Sequence, residues 1–196
     1  MNRSRRAVAG LVLLGAIAAG CSGPATRDSP AEPFPPRPVD IRVDQVRACD
    51  ALSSEQRAQL GTGRGSENND SATSDACMWK SEDNRLWDVR IQPQNPIAQF
   101  DPRDPLYIGN EYGHRDPQIT SVDGYGAVRF GYGLGTEPFC DVALDVGPNA
   151  SVVVGFGNNI TRDSRFPAPL SFEQRCAEAT RAASMVLITL RSRSSG

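Results

Sequence analysis

The chain has 196 residues, with 21 Lys and Arg against 23 Asp and Glu, a net charge of −2, 18 Gly, 15 Pro and 5 Cys. There is no basic stripe for nucleic acid and no polybasic run for anionic lipid, so charge-driven binding to either is excluded. The length suits one domain with enough chain to bury a core.

The chain opens with Arg3, Arg5 and Arg6 and no acidic residue, followed by thirteen uncharged residues, Ala7 to Ala19. A helix of that length spans roughly 20 Å, against the ~30 Å of a bilayer core. A basic start, a short apolar run and small residues before a cut are the marks of an export signal, here residues 1–20. Ala18-Ala19-Gly20-Cys21 resembles the bacterial lipobox, with Ala18 where Leu is the common residue. That resemblance implies a diacylglyceryl group on the Cys21 thiol and cleavage just before it. The plainer reading is an ordinary signal with Cys21 incidental. Arg5-Arg6 also fits twin-arginine export, although Ala7-Val8-Ala9 departs from that pattern. Removing residues 1–20 takes three basic and no acidic residues, and leaves a net charge of −5.

Residues 21–40 hold six prolines, Pro24, Pro30, Pro33, Pro35, Pro36 and Pro38, and read as a disordered, semi-rigid tether. A single α+β domain is expected over 41–191, and a flexible tail over 192–196. Ser53 with Gln56 is a capping box for a short helix, Ser-Glu-Gln-Arg-Ala-Gln-Leu, that stops at Gly61. Residues 61–75 read as a polar loop. Strands are expected at 76–80 and 86–91, paired as a hairpin through Ser81–Arg85. A short helical turn follows at 95–100 and then a long loop to 117. Further strands are expected at 119–122, 126–132, 139–146 and 151–157, with Cys140, Val142, Leu144 and Val146 sharing one face. The final helix, 172–191, has Ser171 and Gln174 as a second capping box. Its apolar stripe is Phe172, Cys176, Ala179, Ala183, Val186 and Leu190. The expected fold is an antiparallel meander of five or six strands with this helix on one face.

Setting Cys21 aside leaves Cys49, Cys77, Cys140 and Cys176, an even number in an exported chain, with three possible connectivities. Cys49–Cys77 with Cys140–Cys176 staples neighbouring elements and is favoured; four buried thiols are the other reading. A metal site is disfavoured, because no spacing is C-x-x-C and His114 is the only histidine. No cofactor is expected. The glycine-rich stretches 124–131 and 131–135 match no phosphate-binding loop and read as turns. Three sequons, at Asn69, Asn149 and Asn159, read as chance matches in a bacterial protein.

His114 lies in Glu-Tyr-Gly-His-Arg-Asp, with Glu111 and Asp116 close by. A hydrolase would have to use it with loop carboxylates such as Asp101 and Asp104, without a G-x-S-x-G elbow. Tyr107, Tyr112, Tyr125, Tyr132 and Phe139 fall in or beside the long loop. A ligand patch of Tyr107, Tyr112, His114 and Tyr132 is one reading; aromatics tucked into the sheet edge are the other.

Four short marks carry a family resemblance. "RACDALSSEQRAQLG" (47–61), "ACMW" (76–79), "VDGYGAVRF" (122–130) and the late Cys176-Ala-Glu-Ala together resemble the actinobacterial lipoprotein domain of unknown function 3558, with Ala48 where that family often has proline. The resemblance spans about residues 41–191. It implies a lipoprotein at the outer face of the cytoplasmic membrane and supplies no catalytic residues. The expected function is a non-catalytic envelope module, anchored in the membrane, that binds a small molecule or another envelope protein. The competing expectation is an extracytoplasmic enzyme built on His114. A sensory or accessory subunit would look the same in sequence as the binding module.

Overall fold

The computed structural model describes residues 34–67, 74–105, 107–109, 113–132, 139–158 and 170–194. Cys21 and Tyr112 lie outside them.

Short alternating segments bounded by turn residues make the sheet. Its strands are β1 (Ser66–Glu67), β2 (Asp75–Lys80), β3 (Arg85–Gln92), β4 (Arg115–Val122), β5 (Tyr125–Tyr132), β6 (Phe139–Gly147) and β7 (Ala150–Asn158). All neighbours are antiparallel, in the order β1-β2-β3-β7-β6-β5-β4. Two meanders therefore meet side by side, with β7 closing against β3. The sheet has seven strands rather than five or six. The extra one, β1, is two residues long inside the stretch expected to be a polar loop. It has too little length to show a period, and it is held by pairing Ser66 with Met78 and Glu67 with Cys77. β4 also starts earlier than expected. A bulge between Arg115 and Gln118, with Asp116 at φ 49°, lets the strand carry Pro117, whose missing N–H argues against strand in sequence. The β4–β5 turn uses Asp123 and Gly124, both at positive φ (49° and 84°), the hairpin geometry that matches strand twist.

Alternation sends Trp87, Val89 and Ile91 of β3, Cys140, Val142, Leu144 and Val146 of β6, and Val152, Val154 and Phe156 of β7 to one face, all buried. The C-terminal helix covers that face. Counting the short helix Ser54–Gln59 as α1, the C-terminal one is α2, Phe172–Ser194. Its stripe of Cys176, Ala179, Ala183, Val186 and Leu190 is fully buried, and the small alanines let the helix axis sit close to the sheet. Both capping boxes form. Ser53 Oγ accepts from Gln56 N–H, and Gln56 Oε1 accepts from Ser53 N–H; Ser171 and Gln174 repeat the exchange. Gln56 also docks α1 onto α2: its Nε2 donates to the Met185 carbonyl at 2.8 Å, and its Oε1 accepts from Thr189 Oγ1 at 2.7 Å. α2 runs three residues past Arg191, into the expected tail. Ser192 and Ser194 donate from their hydroxyls back to the carbonyls of Thr189 and Leu190.

Two disulfides form, Cys49–Cys77 and Cys140–Cys176. The first ties the 3-10 turn Ala48–Asp50 to β2, the second ties β6 to the first turn of α2. With separations of 28 and 36 residues, loop-entropy arguments give each roughly 3–4 kcal/mol.

The other face of the sheet is covered as well. Val128, Phe130, Ala143 and Val153 pack with Ile97 and Phe100 from a 3-10 turn, Ile97–Phe100, and with Phe34. The ordered body thus begins before Ile41: residues 34–40, read in sequence as the end of the tether, lie on the domain. Gly126 lacks a Cβ, and one there would stand 2.7 Å from the Cβ of Phe34, so the bare glycine admits the ring. Arg37 Nη1 grips both oxygens of buried Asp145 at 2.9 and 2.8 Å, and its Nε donates to Asp40 at 2.7 Å. Proline content drives the reading of an extended spacer, and here the extended form is what lies flat along the sheet.

Candidate functional site

The candidate site grows from the polar positions of three neighbouring strands on this second face. Register places Asp88 of β3 opposite Gly155 of β7, Gly155 opposite Asp141 of β6, and Asp141 opposite Phe130 of β5. Arg90, two residues along β3 from Asp88, shares its face. Its Nη2 forms a short ion pair with Asp141 Oδ2, and its Nε lies 2.9 Å from Asp88 Oδ2. The guanidinium sits 5.4 Å from the centre of the Tyr132 ring, a cation–π distance. Burial works against the Arg90 charge, but Asp141 and Asp88 outweigh it and hold its pKa above the ordinary value. Asp141 is 1% exposed. Burial pushes its carboxyl up to about 6, against the pull of Arg90 and with added repulsion from Asp88.

His114 lies beside this group. It follows Gly113, and its backbone N–H donates to the Gly109 carbonyl at 2.9 Å. The ring stacks on Phe130 with centroids 4.0 Å apart and planes at 28°, and lies near-parallel to Phe100 at 5.9 Å. Tyr107 and Tyr132 meet it edge-on at 6.1 and 6.2 Å. Removal from water, reinforced by the Arg90 charge, pulls the imidazole down to about 4. Nδ1 is enclosed without a hydrogen-bond partner among the described residues.

Two grooves lie elsewhere. One of about 730 Å³ runs between α2 and the β4–β5 edge, lined by Ser121, Asp123, Arg129, Glu173, Thr180 and Arg181 among others. One of about 490 Å³ opens beneath residues 34–37 and is rich in carboxylates. Of these, Asp145 is taken by Arg37 and Asp101 by Arg103, whose hydrogen bonds hold the Asp101 carboxyl below its ordinary value despite burial. Among the described residues no three His, Cys, Asp or Glu side chains are placed to hold a metal ion. Nor is any described helix long and apolar enough to cross a membrane.

The family model described as "Protein of unknown function (DUF3558)" matches residues 16–189. The chain belongs to this family. No curated protein and no solved structure matches it significantly.

Within the DUF3558 domain, three of the four residues marked in sequence as a ligand patch come together: Tyr107, His114 and Tyr132. The fourth, Tyr112, lies outside the described residues. Tyr125 belongs to the inner core, because it opens β5 on the face toward α2. Asp116 is exposed. Sequence reasoning passed over Arg90, Asp88 and Asp141, which fall on the polar beat of two expected strands. The available signal was Asp141 itself. A charged residue in a strand as apolar as Phe-Cys-Asp-Val-Ala-Leu-Asp-Val needs a buried partner once both faces of that strand are covered.

Proposed function

We propose that this DUF3558 chain is a lipid-anchored module of the actinobacterial cell envelope that binds a ligand or partner without transforming it. Cys21 is its anchor at the outer face of the cytoplasmic membrane. The aromatic face around Tyr132, His114 and Tyr107, edged by Arg90, is its ligand-facing surface. The observation that carries the non-catalytic reading is the packing of His114 flat on Phe130. A general base works best with a pKa near the operating pH and a reachable lone pair. A ring held near 4, packed flat on Phe130 with Nδ1 enclosed, lacks the first and offers at most one nitrogen for the second. The hydrolase alternative rested on this histidine.

The anchor is supported by the lipobox-like run Ala18 to Cys21 and by a family match that begins at residue 16 and so takes in that cysteine. Because the described body already starts at Phe34, only residues 22–33 separate it from Cys21. Even fully extended, a spacer of this length reaches about 40 Å at ~3.1 Å per residue. The module would therefore work close to the membrane surface.

The test uses the mature protein in detergent, with envelope glycan fragments and extracted envelope lipids as probes, read by NMR shift changes and by product analysis. Saturable shifts at Tyr132, Tyr107 and Arg90 with no product support the proposal. Turnover of a probe that is lost in a folded His114→Ala variant overturns it.

A further inference from the structure

The clasp around Arg90 carries more charge than its parts neutralise. Asp88 and Asp141 stand on strands that flank β7, both in register with Gly155. Gly155 leaves the space above it to the two carboxylates. A Cβ there would stand 2.7 Å from Asp141 Oδ1 and closer still to Asp88 Oδ1. The Oδ2 atoms of both aspartates face Arg90, and the Oδ1 atoms converge over the glycine. Asp141 Oδ1 is buried and has no hydrogen-bond partner among the described residues. With both aspartates ionised the clasp carries one negative charge more than Arg90 offsets; Asp88 is partly exposed, but Asp141 is 1% exposed, and its buried acceptor is left empty.

We propose that Asp88 and Asp141 share one proton over Gly155, so that the clasp is a pH-sensitive latch on Arg90. The proton comes from solvent and converts one carboxylate to a carboxylic acid whose O–H donates to the other. No other bond is made or broken. With the proton in place the three groups sum to zero charge. Without it they sum to −1, and the two carboxylates repel each other across the glycine, as in other close carboxylate pairs. The groups that face the clasp come from every side. β3 supplies Asp88 and Arg90, β6 Asp141 and β5 Tyr132. His114 comes from the turn before β4, and β7 contributes the side-chain-free Gly155. His114 stays neutral above about pH 4 and so adds no competing charge in the working range. The raised pKa of Asp141 accords with this arrangement. Arg90 carries the proton's effect outward, because it sits over the half-exposed Tyr132 ring. The latch holds whether or not that face binds a ligand.

The test is a carboxyl-carbon NMR titration of the mature protein labelled at aspartate, from about pH 4 to pH 8, with the Tyr132 ring signals followed alongside. One aspartate carboxyl should titrate about two pH units above the ordinary range near 4, and the Tyr132 signals should move with the same midpoint. In Asp88→Asn the midpoint should fall, because the repelling partner is gone. Aspartates that all titrate in the ordinary range would overturn the proposal, as would Tyr132 signals unmoved through the transition. Because burial alone raises Asp141, the sharing is read in wild type from both carboxyl carbons: Asp88 and Asp141 should shift with one midpoint, and a transition confined to Asp141 overturns the proposal even if the variant does not fold.

Discussion

Acidifying this domain from pH 7 to pH 4 sets two buried groups against each other. The folded His114 titrates near 4, against 6.5 for an unperturbed histidine. Between those values the unfolded chain binds a proton that the folded one refuses. The stability it contributes is fully present above 6.5 and is lost as the pH falls toward 4. At about 1.4 kcal/mol per pH unit the whole shift would be worth roughly 3 kcal/mol, and partial exposure of the ring screens the loss to roughly 1–2 kcal/mol. Asp141 runs the other way. Its folded pKa near 6 exceeds the unfolded 3.8, so its contribution is fully present below 3.8 and is lost as the pH rises through 6. Acidification therefore returns roughly 3 kcal/mol from this group. The windows overlap from about 4 to 6 with opposite sign, so in wild type the two contributions partly cancel there. Single substitutions unmask each arm. His114→Phe keeps a ring on Phe130 and removes the base; its stability should rise relative to wild type by roughly 1–2 kcal/mol between pH 7 and pH 4. Asp141→Asn should fall relative to wild type by roughly 3 kcal/mol over the same range. Urea unfolding under non-reducing conditions, read by the fluorescence of buried Trp79 and Trp87, measures both. With an m-value of about 2 kcal/mol per molar, the Asp141→Asn midpoint should separate from wild type by about 1.5 M across the pH range and the His114→Phe midpoint by about 0.5–1 M. A His114→Phe midpoint that tracks wild type at every pH would refute the reasoning for the histidine. A parallel Asp141→Asn profile would refute it for the aspartate.

Breaking Cys140–Cys176 by paired Ala substitution should lower stability by roughly 3–4 kcal/mol and free the start of α2 from β6, seen as faster amide exchange at 172–180. Gly155→Ala drives a methyl into the oxygens of Asp88 and Asp141 and should cost more than about 2 kcal/mol by thermal or urea unfolding, whereas the same change at exposed Gly63, where nothing lies within 4 Å, should be near neutral. Arg37→Ala removes the two-pronged contact to Asp145, which is 6% exposed, and should cost roughly 1–3 kcal/mol while opening residues 34–40 to limited proteolysis. Tyr132→Ala, at a side chain already 36% exposed, should change the melting temperature little and abolish the ligand-induced shifts.

What the chain made legible was local. Ser53 with Gln56, Ser171 with Gln174 and the alternation from Cys140 to Val146 each declare their structure within a few residues, and each forms as written. The cysteine pairing was legible for a different reason: with Cys21 set aside, four cysteines leave three connectivities, and the sequential one, with separations of 28 and 36 residues, forms. What stayed hidden depends on contacts between segments far apart in sequence. Nothing in β3 announces that β7 will lie beside it, yet that pairing brings Asp88 and Asp141 to the same glycine and gives Arg90, 51 residues from Asp141, its partner. The same limit applies to residues 34–40. Six prolines describe a stiff extended chain, and only the bare surface at Gly126 decides that its end lies against the sheet. The aromatic patch fell between these cases. Its residue types stood out in the loop, but which rings gather around His114 and which, like Tyr125, turn into the core depends on strand register.

The claim on which the functional account rests is that Cys21 belongs to a lipid and holds the domain at the membrane. Mass spectrometry of the N-terminal peptide, from protein extracted out of the producing cell's membrane fraction, tests it directly. The account predicts a chain that begins at Cys21 and carries a diacylglyceryl thioether. A mature chain that begins elsewhere, or an unmodified Cys21 thiol on protein released to the soluble fraction, would contradict it.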